Sequence, residues 1–465
     1  MYLTERSAAP REDAEPGRRR GPGRKVAPVV LVLGTVSLIT DISSEMVTAV
    51  LPLYLFTTLG FSPLGFGALD GVYNGVSALV QLTGGHLADR VRNHKLLAGI
   101  GYGLSALCKP LLLIAGSFAA LGTVLALDRT GKGLRTAPRD AMISLSTPLE
   151  KQGRAFGVHR AMDTTGAMLG PLAAFLILQA AADGYDAVFG VSACVAVLGV
   201  IVLVLFVPRR RPAPEGAGAG GAGTGEPAGT GEPAGTGKAA GADEGSGTSG
   251  TSGDGGAGDR PRDTKPPVRL AEALALLRLP RLRALAGCAA LLGLTTVSDA
   301  FLYLLLQRRA GVGEQWFTLL PLGTAVVFLL LAVPLGALAD RIGRRTVFLA
   351  GHVSLLTAYG LLLWAPDTGL LVPTVLALHG VFYAATDGVL PAALASVVPE
   401  HLRASGLAIV GTSQALARFC CSLGFGAAWT LWGDGPALAA SAVGLLCCAL
   451  VASRVLRPAP ASGTR

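Results

Sequence analysis

Ionisable side chains recur inside stretches of this sequence that are otherwise apolar. Asp41 and Glu45 stand four apart in ITDISSEMV, on one face of a helix. Two acids on one face repel when both are ionised, so the pair favours keeping a proton and is a candidate proton carrier. Asp128, Lys132, Arg135 and Arg139 follow at i, i+4, i+7 and i+11, a charged stripe along one helix, with Arg129 beside it. Arg160 and Asp163 share a face of the next apolar run, and Lys109, Asp299, Asp387 and Arg418 each stand inside another. An ionised group at the centre of a membrane helix costs roughly 2.5–3.5 kcal/mol on insertion scales, so charges in such number must face protein or a wet cavity. In one reading Asp41 and Glu45, with Arg129 and Lys132, exchange protons along a polar passage. In the other the stripe is a static network, for example Arg135 or Arg139 with Asp163, that ties neighbouring helices together.

Composition sets what must hold these groups. With 51% hydrophobic and only 15% charged residues and a mean hydropathy of +0.54, a single soluble core is excluded. Apolar runs of roughly 20 residues, each able to cross about 30 Å of hydrocarbon as a helix, alternate with short polar turns. Twelve spans are expected, at 28–58, 64–88, 95–116, 118–138, 155–181, 186–207, 283–307, 316–339, 346–365, 370–398, 404–431 and 436–456. The fold class is therefore an all-α membrane protein with both ends on one side. The first apolar run is too long for a signal-peptide core and continues into further spans, so it is expected to stay as the first span. The seven cysteines all fall in predicted helices without metal-ligand spacing, so no metal is expected.

The formal charge of +9 would suggest nucleic acid in a soluble chain, but here it follows the membrane. Arg18, Arg19, Arg20, Arg24 and Lys25 precede the first span, Arg90, Arg92 and Lys95 follow the second, Arg139, Lys151 and Arg154 the fourth, and Arg341, Arg344 and Arg345 the eighth. The opposite loops hold little beyond Arg308 and Arg309. The positive-inside rule then places both termini in the cytoplasm of a cell whose inner membrane holds the chain. No nucleic-acid partner is expected.

Residues 1–27 read as a disordered basic tail, 28–207 and 269–457 as two six-helix bundles, 208–268 as a Gly/Ala-rich cytoplasmic linker too polar to fold, and 458–465 as a second tail. The two bundles share landmarks in one order. GGHLADR (84–90) is matched by GALADR (336–341), Arg154 by Arg403, and Thr40–Asp41 by Ser298–Asp299. Duplicated bundles around a midplane site suit alternating access.

At these residues the chain resembles the major facilitator superfamily. The superfamily loop GxLADRxGRRxxL is complete in GALADRIGRRTVF, through Gly336, Asp340, Arg341, Gly343, Arg344 and Arg345; the first copy keeps Gly85, Asp89 and Arg90 but has Arg92 where glycine is usual. The resemblance implies that Asp89 and Asp340 help lock and release a cytoplasmic gate. LALDRTGKG (125–133) is similar to the family's span-four pattern LxxxRxxQG, with Lys132 in place of Gln, which implies a proton-transfer role for Arg129. GAMLGPLAA (166–174) is similar to the exporter signature GxxxGPxxGG through Gly166, Gly170 and Pro171. TDISSEM with DRTGKGLRTAPRD is similar to one branch of prokaryotic facilitators.

The resemblance implies a twelve-helix fold of two pseudo-symmetric bundles, no enzymatic activity and no cofactor, and proton-coupled efflux of a small organic solute or drug by a monomer. Asp41, Glu45, Lys109, Asp128, Arg129, Lys132, Arg160, Asp163, Asp299, Asp387 and Arg418 are then the candidate cavity and coupling residues. A rival is an uptake symporter for an anionic metabolite, prompted by Lys109, Arg129, Lys132, Arg135 and Arg418; another is a transporter-like receptor. Tyr73, Asn74, Gln81, Tyr303, Gln307, Tyr383 and Gln414 are candidates for neutral contacts to a ligand, with most of them expected to be helix-to-helix hydrogen bonders instead, and Asp70 is expected as an interfacial residue. No phosphate-binding loop in a strand-to-helix setting is present, which disfavours ATP-driven movement.

Overall fold

A computed structural model describes residues 26–90, 93–148, 152–181, 184–207, 278–366, 369–387, 389–390, 398 and 403–456. The linker, both tails beyond these limits, and Arg92 and Lys151 lie outside the described residues, as do the side chains of Gln81, Gly85, Asp89, Arg90 and Arg403.

The first half runs α1 (Pro28–Thr57), α2 (Pro63–Arg90), α3 (His94–Ile114), α4 (Phe118–Leu145), α5 (Gln152–Ala180) and α6 (Gly184–Phe206). The second runs α7 (Pro280–Gly293), α8 (Asp299–Ala310), the single turn α9 (Glu314–Phe317), α10 (Leu320–Ile342), α11 (Arg344–Trp364), α12 (Leu371–Thr386), α13 (Arg403–Trp432) and α14 (Asp434–Val455). Local chemistry sets several starts. Pro28 and Pro280 occupy the first turns of α1 and α7, where a missing N–H costs nothing. Asn93 and Ser117 cap α3 and α4 by accepting from the Leu96 and Ala120 amides at 3.1 and 3.2 Å.

The seventh span departs from its expected course. Residues 283–307 were expected as one helix; the chain instead leaves the helix over 294–298, between α7 and α8. The run Thr295-Thr296-Val297-Ser298 is β-branched with a capping residue at its end, and Ser298 takes extended backbone angles at the α8 N-cap. The freed Val297 amide donates to the Tyr359 hydroxyl at 2.8 Å, so the opening is satisfied within the bundle. The fourth span also runs longer than expected, past Pro138 to Leu145.

The pairing of helices repeats between halves. In the first, α1 packs on α5 and α6, α3 on α4 and α6, and α2 on α4; in the second, α7 packs on α13 and α14, α11 on α12 and α14, and α10 on α12. Across the halves α2 lies along α13, and α5 meets α10. Gly343, at φ +97°, makes the turn between α10 and α11, a conformation that side chains rarely adopt. Lys95 donates to the Val204 and Val207 carbonyls at the end of α6, and Arg345 to Ser453 near the end of α14, so each half closes its sixth helix with a cation from its third.

Seven described helices are long and apolar enough to cross a membrane. Their outward faces carry leucines, valines and isoleucines left exposed, such as Ile114, Leu330 and Val333, as lipid contact requires. Trp316, Trp364 and Trp432 gather exposed at the end opposite the termini. The chain is an all-helical, multi-pass membrane protein.

Candidate functional site

A cavity of about 350 Å3 lies between the halves near mid-helix depth. The first half contributes Glu45 and Thr48 from α1 and Asp70, Tyr73 and Asn74 from α2; the second contributes the opened segment 296–298, Asp299, Tyr303, Thr324, Tyr383, Asp387 and Arg418. Phe317, Phe328, Pro52 and Pro321 complete the wall.

On the second-half wall, the opening of the seventh span places Asp299 in the first turn of α8, where the helix dipole favours a negative charge. Tyr383 donates to both carboxylate oxygens at 2.7 and 2.8 Å, and His379 Nε2 stands 3.4 Å from Oδ1. The imidazole's other nitrogen meets Thr324 Oγ1 at 3.4 Å, and that hydroxyl accepts from Tyr303 at 3.1 Å. His379 is buried, yet the Asp299 side chain is 47% exposed, open to the cavity. Arg418 faces the same space, and among the described residues no carboxylate lies within 4 Å of it.

The first-half wall is tied up differently. Asp128 takes Lys109 at 3.0 Å, Arg129 at 2.6 Å and the Ser105 hydroxyl at 2.6 Å, with Lys109 and Asp128 side chains only 2% and 5% exposed. Arg129 lies over the Tyr73 ring, 4.0 Å from its centre. Arg135 pairs with Asp41 at 3.1 Å and covers the Tyr102 ring at 4.4 Å. Nearer the termini, Arg139 bridges Asp140 at 3.0 Å and Asp163 at 3.5 Å, and Arg160 reaches Asp163 at 3.5 Å. Glu45 and Lys132, 3.5 Å apart, are partly open, at 25% and 30%, and Glu45 reaches the cavity wall.

Thus the sequence candidates part company. Glu45, Asp299, Asp387 and Arg418 come together at the central cavity. Asp41, Lys109, Asp128 and Arg129 are buried inside the first bundle in ion pairs, and Asp163 and Arg160 form with Arg139 the α4–α5 tie. Asp70, expected at the membrane interface, is instead a cavity residue whose carboxylate accepts from Ser422 across the halves at 2.6 Å and from Asn74 at 3.4 Å. Tyr73, Asn74, Tyr303 and Tyr383 line the cavity, where Tyr73, Tyr303 and Tyr383 also hydrogen-bond to other helices, whereas Gln307 is spent on the Val312 carbonyl. His379 went unmarked in the sequence; an imidazole within the apolar run LVPTVLALHGVF was itself the signal. Gly166 and Gly170 sit where α5 meets α1: a Cβ at Gly170 would fall 2.6 Å from the Glu45 Cβ. Asp340 and Arg344 pair at 3.4 Å on the surface. Among the described residues no cluster could hold a metal ion.

Among the described residues, several contacts join the halves at the end away from the start of α1 and the end of α14. A Cβ at Gly67 would strike the Ser422 carbonyl, and one at Gly71 would lie 2.9 Å from the Phe419 ring. Phe66 meets Phe301 edge-on at 4.8 Å, Phe56 meets Trp429 at 6.1 Å, and Phe175 meets Trp316 at 5.0 Å. Tyr185 donates to Glu314 at 3.1 Å and the Leu64 amide to Thr430 at 3.0 Å. Among the described residues, no hydrogen bond or ring contact joins the halves on the terminal side of Asp70.

Comparison with known proteins agrees with this architecture. A family model described as Major Facilitator Superfamily matches residues 33–421 and again 317–465. An uncharacterised MFS-type transporter of Methanocaldococcus jannaschii is 26% identical over 416 residues, covering 88% of this chain and 90% of its own length. An uncharacterised protein of Mycobacterium tuberculosis is 32% identical over 186 residues, 40% of this chain and 45% of its own length. Among solved structures, the nucleoside transporter NupG superposes with a TM-score of 0.70 at 13% identity, covering 93% of this chain and all of that one. A bacterial homologue of the human lysosomal transporter Spinster, in an inward-facing and unoccupied conformation, superposes at 0.69 with 15% identity over 95% of this chain and all of that one. With two matched six-helix bundles around one central cavity and a family match spanning nearly the whole chain, this protein belongs to the major facilitator superfamily of membrane transporters.

Proposed function

We propose that this facilitator is a proton-coupled exporter of a small organic solute, resident in the cell membrane with both termini cytoplasmic. The observation that carries the reading is Asp299: a carboxylate in the central cavity, held by Tyr383 and His379 yet open to solute, where the helix of its span is broken. A group so placed binds a proton or a ligand and changes the charge of the cavity when it does. With the positive-inside orientation, the end that holds the halves together is external, and the solute would enter from the cytoplasm. The Gly166–Gly170–Pro171 pattern, packed on α1 beside Glu45, supports the export direction.

The contact pattern supports alternating access. The α2–α13 and aromatic contacts at the outer end give way, while the terminal ends of the bundles come together around the cavity. Protonation of Asp299 weakens its hold on solute, so that inward proton movement accompanies outward solute release. Purified protein in proteoliposomes, with an imposed pH gradient and a panel of labelled solutes, tests this. Opposed flow of protons and solute is the expected result; parallel flow would replace export with uptake, and flux indifferent to pH would remove the proton from the mechanism.

A further inference from the structure

We infer that the carried solute is an organic cation, a small molecule with a protonated or quaternary nitrogen, which shares the central carboxylates with protons. This rests on the reading of the central cavity as the solute site. The inference comes from which charges are already spent. Lys109 and Arg129 are paired on Asp128, Arg135 on Asp41, and Arg139 on Asp140 and Asp163; none of these cations is itself a wall residue, though Arg129 lies directly behind Tyr73. Lys109, Arg129 and Arg135 were among the sequence grounds for an anionic solute; Asp41 neutralises Arg135, while Lys109 and Arg129 share Asp128 and leave one positive charge inside the bundle, behind Tyr73.

What faces the cavity is of the opposite sign. Glu45, Asp70, Asp299 and Asp387 line it, against Arg418 and, behind Glu45, Lys132. Asp299 is faced from α12 by His379 and Tyr383, from α8 by Tyr303, from α13 by Arg418, and from α2 by Asp70. Asp387 is faced by Arg418 from α13 and, across the open side, by Arg160 from α5, neither within 4 Å. Four wall carboxylates thus meet Arg418 and Lys132, with the one unneutralised charge of the Lys109–Arg129–Asp128 cluster behind Tyr73, and the negative charge that remains is met by protons or by a positive solute. Tyr303, Tyr383, Phe317 and Phe328 line it with aromatic rings that suit an alkylammonium group, while the Tyr73 ring already carries Arg129. At about 350 Å3 the cavity fits a small solute.

The test uses purified full-length protein and three probes, tetramethylammonium, benzyltrimethylammonium and tetraphenylphosphonium, with phenylacetate and benzyl alcohol as anionic and neutral counterparts. Binding is read by titration calorimetry and by thermal stabilisation, at mildly acid and mildly alkaline pH, with released protons followed by a pH indicator. At least one cation is expected to bind, more weakly in acid, releasing protons as it does. Asp299→Asn should weaken that binding roughly tenfold or more, as loss of a charged partner does. Arg418→Gln should tighten it, because a repelling charge is gone; Asp387→Asn, at an exposed position that folding does not depend on, should weaken it a few-fold and serves if Arg418→Gln unfolds. Binding of phenylacetate alone, or abolished binding in Arg418→Gln protein that remains folded, overturns the proposal. Failure of all three cations to bind overturns it too, even if pH-driven flux of another solute upholds the coupling. Cation binding without proton release leaves the solute class standing and removes the proton coupling instead.

Discussion

Asp41 and Asp299 occupy matched positions in the two halves, each after a hydroxyl residue in the first span of its bundle, yet they meet different surroundings. Span one stays helical past Asp41, so its carboxylate turns into its own bundle and pairs with Arg135 at 3.1 Å. Span seven opens just before Asp299, and the carboxylate is delivered to the cavity between bundles, bound by a phenol and an imidazole. A duplicated framework has thus kept two acids and given one a guanidinium to hold, the other a place where its charge can change. A carboxylate buried against a guanidinium is committed to that partner, whereas one that opens onto the cavity can also meet a solute.

The sharpest way to break this comparison is to neutralise both acids in turn. Asp299→Asn should abolish uphill, proton-driven flux in proteoliposomes while leaving solute exchange at equal pH measurable. Asp41→Asn, at one of the two acids that the sequence marks as a candidate proton carrier, should retain coupled flux and lose stability instead, because Arg135 is left buried without its partner. Equal loss of coupling in both would mean that the two acids act together, and the contrast between halves would fail.

Within the first half, Asp128 carries more of the same burden, since two cations depend on it. Asp128→Asn strands Lys109 and Arg129 in the bundle interior, and breaking a buried pair from one side costs about 3–5 kcal/mol. Thermal unfolding in detergent should report a large fall for this variant, larger than for Asn at the exposed Asp387. A near-normal unfolding temperature would show that water or lipid reaches the triad.

Much of the fold was legible because it follows from hydrocarbon thickness and repetition: runs such as 184–206 are long enough to span, and two copies of the LADR loop fix the alignment of halves. The site was legible only in part. Helical periodicity tells which residues share a face, as with Asp128, Lys132 and Arg135, but not whether that face turns to its own bundle or to the other half. Asp70 shows the limit: its depth near the start of α2 suggested the interface, and only the approach of α13, with Ser422 on its carboxylate, makes it a cavity residue. The opening at 294–298 was hidden because Thr and Val are also common within membrane helices. The spacing of Gly67, Gly71 and Gly75 was a readable close-packing signal, and α13 is the helix that uses it.

Those glycines offer a milder perturbation, of the contact between halves rather than of either acid. Gly67→Leu forces a side chain against the Ser422 carbonyl, and overpacking of this kind costs about 1–3 kcal/mol in the closed outer end. The equilibrium should move toward the state open at that end, seen as longer distances between spin labels on the outer ends of α2 and α13. Unchanged distances would mean that α2 and α13 separate there without affecting the balance between states.

The smallest expected effect concerns what keeps span seven open. Tyr359 is fully buried on α11, and its hydroxyl is the acceptor for the Val297 amide at the break. Tyr359→Phe keeps the ring and its packing and removes only that acceptor, a loss of about 1 kcal/mol or somewhat more for a buried amide left unpaired. Because the opened segment sets where α8 begins, the amide's search for another partner should shift Asp299 relative to Tyr383, and coupled flux should fall a few-fold with little change in unfolding temperature. The same substitution has no counterpart to disturb at Asp41, where span one is continuous. If Tyr359→Phe lowered stability and spared flux, the break would be a packing feature of the second bundle, and Asp299 would owe its place in the cavity to Tyr383 and His379 alone.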